Sequence, residues 1–246
     1  MANQNQIPWA SGPGEILRHG LDLLKKDTDT NRRLAMIAID NSVELMVKTF
    51  LGLPKRVTGL AITRKEFQEV AESFPSLLDA LEKYAADRLD GIDLGTIEWY
   101  HRLRNQLYHQ GNGLTVERNK VEIYAELANV LFRNLFGSDL MEHRSARSEL
   151  IGEFMTAWVE LEKGLRKLTD TLLQPGSTGT IPTNSMRLLE RKGLIEHHEM
   201  NEIIDLRRIR NEVVHGAGNW ETALTPHVIE RVRYFAKRFG ADDAVQ

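Results

Sequence analysis

The segment ELIGEFMTAWVELEKGLRKLTDTL, residues 149–172, decides the fold class. Leu150, Phe154, Trp158, Leu161, Leu165, Leu168 and Leu172 fall three or four residues apart, the period of an apolar stripe along one face of an α-helix. That amphipathic pattern runs from Glu142 to Leu173. C-terminal to it, residues 174–180 (QPGSTGT) read as a loop. A short helix to Lys192, a longer one from Glu196 to His215 and a last one from Thr225 to Phe239 follow, with Ala241–Gln246 expected to fray. On the N-terminal side, helical spacing predicts segments from Thr115 to Phe136, Leu94 to His109, and Pro75 to Leu89. Thr63 and Glu66 form a capping-box signature. A further helix starts near Asn31 behind Thr30 as N-cap and stops at Gly52 and Pro54. Convincing period-two alternation is missing, so the sequence predicts an all-α protein.

Composition narrows the chemistry. The 246 residues are 41% hydrophobic and 27% charged, with no cysteine. Thiol catalysis, disulfide scaffolds and cysteine-based zinc or iron–sulfur sites are therefore excluded. The longest apolar run, Leu34 to Ile39, is far short of the roughly 20 residues that span a bilayer. The polar opening Met1–Gln6 has no signal-peptide character, so no membrane association and a cytoplasmic location are expected. Lys plus Arg number 32 against 35 Asp plus Glu, and both halves are near neutral: 17 basic and 19 acidic residues before Met141, 15 and 16 from it onward. That balance argues against broad non-specific duplex binding.

An internal repeat organises the chain. Val43-Glu44-Leu45 recurs as Val159-Glu160-Leu161, and RLRNQLYH (102–109) recurs as RIRNEVVH (208–215). Each copy is followed by a Gly-Asn pair and a further helix ending in Phe-Gly. Two helical domains, 1–140 and 141–246, are expected from this order. An Arg with His five positions later arises about 0.7 times by chance in such a composition, so the short motif alone decides little. The longer pattern, repeated in order, is the informative one. Asn105 and His109 are four apart and share a helical face, as do Asn211 and His215, with Arg104 and Arg210 alongside. A guanidinium fork, an amide and an imidazole suit a phosphodiester: the fork for anionic oxygens, the imidazole for proton transfer.

Arg104-Asn105…His109 and Arg210-Asn211…His215 resemble the Arg-x4–6-His signature of the HEPN superfamily, small helical domains found in many ribonucleases. The segments 187–195 (RLLERKGLI) and 207–216 (RRIRNEVVHG) are similar to that family's C-terminal helices. The likeness covers residues about 15 to 240 as tandem domains. It implies a metal-independent endoribonuclease without a cofactor, in which the ribose 2′-OH attacks phosphorus to leave a 2′,3′-cyclic phosphate and a 5′-OH. His109 and His215 are then the acid/base pair, Arg104 and Arg210 stabilise the phosphorane, and Asn105 and Asn211 orient substrate or histidine. Arg102, Arg207 and Arg208 are RNA-binding candidates. The partners implied are single-stranded RNA or tRNA, a dimer of domains within the chain or between two copies, and a neutralising antitoxin or defence-system protein. A non-catalytic RNA- or nucleotide-binding module and a protein-interaction module are the alternatives. Glu44 and Glu160 are expected to pair with a motif arginine or position a histidine. Tyr108, Val214, Trp99 and Trp158 are expected in the core, and His197 and His198 at the surface. His101, two turns from His109, shares its face only approximately.

Overall fold

In the computed structural model, which describes residues 8–109, 115–138, 140, 146–172, 183–215, 218 and 220–240, the three-to-four spacing becomes helix. Among these residues there are twelve α-helices and no strand. The expected loop at 174–180, the Gly-Asn turn after His109 and the C-terminal tail lie outside the described residues. No helix among the described residues is long and apolar enough to cross a membrane.

The chain divides into two compact units. Unit 1 comprises Met1–Leu89 and Asp93–His143; unit 2 comprises Asp90–Ile92 and Arg144–Gln246. Unit 1 holds α1 (Ser11–Lys25), α2 (Asp29–Gly52), the short α3 (Lys55–Thr58) and α4 (Arg64–Val70), then α5 (Phe74–Ala85), α6 (Leu94–His109) and α7 (Arg118–Phe136). Helix α1 packs along α2, and α5, α6 and α7 also lean on α2. The reason is legible in α2: Met36, Ile39, Val43, Met46 and Phe50 are buried at three-to-four spacing. The contacts Asp40–Tyr124 and Phe50–Phe136 advance together along both helices, so α2 and α7 run in the same direction.

Local chemistry sets the boundaries. Thr28, rather than Thr30, caps α2, its Oγ1 accepting the Asn31 backbone N–H at 3.2 Å. Thr63 and Glu66 form the expected capping box at α4. Pro75 occupies the first turn of α5 behind the N-cap Ser73. Helix α5 gives way at Ala85 to a tighter turn over Ala86–Arg88, short of the expected Leu89. Helix α6 spans the expected residues, and α7 begins at Arg118, three residues after the expected Thr115.

Unit 2 contains α8 (Ala146–Leu172), α9 (Thr183–Arg191), α10 (His197–His215), α11 (Trp220–Ala223) and α12 (Pro226–Gly240). The middle of the apolar stripe on α8 forms its core: Phe154, Trp158, Leu161 and Leu165 are buried, as are Val232, Phe235 and Phe239 on α12. Pairings of Glu153 with Arg233 and of Gly164 with the backbone of Phe239 show that α8 and α12 run in the same direction. Gly164 is required there, because a Cβ would sit 2.9 Å from the carbonyl carbon and oxygen of Phe239. Helix α10 is held to α12 by Glu202 with Arg231 and by Glu199 with Arg238, the latter at 2.6 Å.

Candidate functional site

In unit 1 the arginine of the repeat is built into a polar cluster around one buried carboxylate. Asp40 projects from the buried face of α2 with its side chain 0% exposed. Its Oδ2 accepts Arg104 Nε at 2.7 Å and lies 2.9 Å from His101 Nδ1; its Oδ1 accepts the Tyr124 hydroxyl at 2.7 Å. Burial first, and then the charge of Asp40, hold the Tyr124 phenol well above its ordinary value, so it remains the donor. Tyr100 stacks on Tyr124 with ring centroids 4.3 Å apart, and Phe74 lies against His101. A carboxylate this deeply buried is tolerated because a cation and two polar groups surround it.

Arg104 is fixed on every side. Beyond Asp40, its Nη1 donates to Asn105 Oδ1 at 2.9 Å and its Nη2 to Asn41 Oδ1 at 3.0 Å, while Glu44 lies 3.6 Å from Nη2. Glu44 thus meets the motif arginine, as the repeat suggested. Among the described residues, three of the five guanidinium N–H groups have hydrogen-bond acceptors, which leaves one on each terminal nitrogen. The side chain keeps 16% of its surface open. One turn further on, His109 ends α6 and is exposed. Arg102 is exposed too and pairs with Glu98 on its own helix.

In unit 2 the same motif meets a different environment. Arg210 is 2% exposed. Its Nη1 donates to Asn211 Oδ1 at 3.3 Å, repeating the Arg104–Asn105 bond, but its Nη2 donates to the main-chain carbonyl of Gly91 at 3.4 Å. Gly91 is gripped from its other side as well, its N–H donating to Glu162 Oε2 at 2.9 Å. Its φ of +73° and the Val159 side chain against it leave no room for a Cβ. Glu160 is exposed and pairs with Lys163 at 3.0 Å. Asn211 and His215 are exposed, and His215 ends α10 as His109 ends α6. Arg207 is half-buried, and Arg208 is exposed near Asp205.

The chain matches no family model, no curated protein and no solved structure. The repeat picks out Arg104, Asn105, His109 and Glu44 but not Asp40, Asn41 and Tyr124, which join Arg104 in the polar cluster. A signal for Asp40 was present: it is an ionisable residue four positions before Glu44 on the apolar face of α2. Val214 and Trp158 are buried as expected, and Trp99 is half-buried. Tyr108 is a correction. It is 65% exposed, with its ring edge-on to the His109 imidazole at 5.3 Å between centroids. The face of α6 that meets α2 carries His101 and Arg104, and in its last turn the buried residue is Leu107 rather than Tyr108. His197 and His198 lie at the surface beside Glu190 and Glu196.

Proposed function

We propose that the protein is a HEPN-like, metal-independent endoribonuclease whose competent motif is Arg104-Asn105…His109 in unit 1. The observation that carries this reading is the contrast between the two ends of that motif. Arg104 is immobilised by Asp40, Asn41 and Asn105 with, among the described residues, one N–H left on each terminal nitrogen, and His109 stands exposed one turn along the helix. An immobilised guanidinium and an accessible imidazole on one helix are two of the groups that attack of a ribose 2′-OH on phosphorus uses. The fork stabilises charge on the phosphorane oxygens and the imidazole moves a proton. Asn105 serves the fork by bracing Nη1. A long helix with Val-Glu-Leu, then a motif helix, then a closing helix come in that order in both units, with different short helices between them, which supports a duplicated domain.

A second reading has one specific observation behind it for unit 2. Arg210 is buried and donates to a main-chain carbonyl, which favours a structural role for that copy of the arginine. The test is cleavage of single-stranded RNA and tRNA in EDTA, with analysis of the product ends. The expected products carry 2′,3′-cyclic phosphate and 5′-OH. His109→Ala is expected to lower the rate by about 10²–10⁴-fold with the fold intact. Arg104→Lys is expected to impair cleavage too, since an ammonium reproduces neither the fork nor its bracing. The same assay on His215→Ala reads whether unit 2 contributes a proton-transfer group. Wild-type rates in His109→Ala, or dependence on added Mg²⁺, would defeat the assignment.

A further inference from the structure

Tyr108 stands out among the large hydrophobic side chains. At 65% exposed it is the most open of them among the described residues, and it belongs to no core. It is four residues beyond Arg104 on α6, hence on the same helical face and one turn along, and it directly precedes His109. One turn of helix is comparable with the reach from a phosphate across its ribose to the base. Its ring stands at 82° to the His109 imidazole, with 5.3 Å between centroids, and most of its surface is open. The matching residue of unit 2 is Val214, fully buried, so this arrangement is confined to unit 1. We propose that Tyr108 is a nucleobase platform: a base of single-stranded RNA stacks on its ring while the adjoining phosphate lies at Arg104 and His109. This rests on the ribonuclease reading for the identity of the ligand.

Stacking on an exposed aromatic is tolerant of base identity, because every base has a π-face, and it requires an unpaired base. The site is therefore expected to take single strands and loops and to reject duplex. The experiment uses the full chain and a short single-stranded 2′-O-methyl RNA carrying one 2-aminopurine, which cannot be cleaved through its 2′ position. Wild type, Tyr108→Phe and Tyr108→Trp are expected to bind it and quench its fluorescence. Tyr108→Ala is expected to bind about tenfold or more weakly and to lose the quenching. On cleavable RNA the alanine variant is expected to raise KM more than it lowers kcat. If Tyr108→Ala binds and quenches as wild type does, the platform is refuted even where RNA is cleaved. If the probe is bound and quenched but unmodified RNA survives in EDTA, the ribonuclease reading falls and the platform stands. Failure of wild type to bind the probe overturns the platform, while the ribonuclease reading stands or falls on cleavage of unmodified RNA in EDTA.

Discussion

Asp40 concentrates the energetics of unit 1 in one side chain. Its two oxygens serve Arg104, His101 and Tyr124, so Asp40→Ala strands a guanidinium charge and two polar groups at once. Breaking a buried pair from one side costs about 3–5 kcal/mol, and we expect a loss of that order in urea denaturation. Tyr124→Phe removes one bond to the same carboxylate and is expected to cost about 1–3 kcal/mol. The phenols add a pH signature. Tyr124, held up by burial and then by Asp40, and Tyr100, held up by burial, both have native values above the unfolded one. Their contribution is complete below the unfolded phenol value of about 10 and is lost as pH rises beyond it. Urea midpoints between about pH 9 and 11 should fall for wild type and fall less for Tyr124→Phe. Asp40 was hard to read from sequence because its partners lie 61, 64 and 84 positions away. Helical periodicity reports the face of a residue and is silent on what crosses from another helix.

Elements were more legible, since their signals are local. The span of α6 follows from its flanking turn residues and apolar spacing, and the Thr63–Glu66 capping box follows from two side chains three apart. Backbone N–H donation from Thr63, then its side chain and Tyr84, bring the Glu66 carboxyl down to about 2 from 4.5. That stabilisation is present above about pH 4.5 and is lost as pH falls toward 2. The gap in stability between wild type and Glu66→Ala should therefore close over that range. The start of α2 was misread by two residues because Thr28 and Thr30 are equally good caps by type. The two are separated by experiment: Thr28→Ala should cost about 1 kcal/mol in thermal unfolding, and Thr30→Ala, inside the first turn, close to nothing. Helix α1 escaped notice because Gly12, Pro13 and Gly14 in its first turn argue against helix locally, while packing along α2 outweighs them.

At the scale of the whole molecule, the sequence repeat is symmetric and the surroundings of its arginines are not. Arg104 and Arg210 occupy the same position in the same eight-residue pattern, yet one meets a carboxylate cluster and the other a main-chain carbonyl. Position 40 is Asp in the first copy, and the residue four before Glu160 in the second is Thr156. A motif confined to one helix does not carry that difference. In unit 2 the decisive contact is the close approach of α8 to α12. Gly164→Ala should push the Phe239 backbone away, costing about 1–3 kcal/mol, with faster amide exchange along both helices as the readout. Because α8 ends at residue 172 and α12 begins at 226, the two halves of that core leave the ribosome several seconds apart at about 5–20 residues per second. Throughout that interval Phe154, Trp158, Leu161 and Leu165 have no α12 to cover them. Nascent chains arrested before residue 226 should therefore engage chaperones that bind apolar helices, and release from them should coincide with the emergence of Phe235 and Phe239.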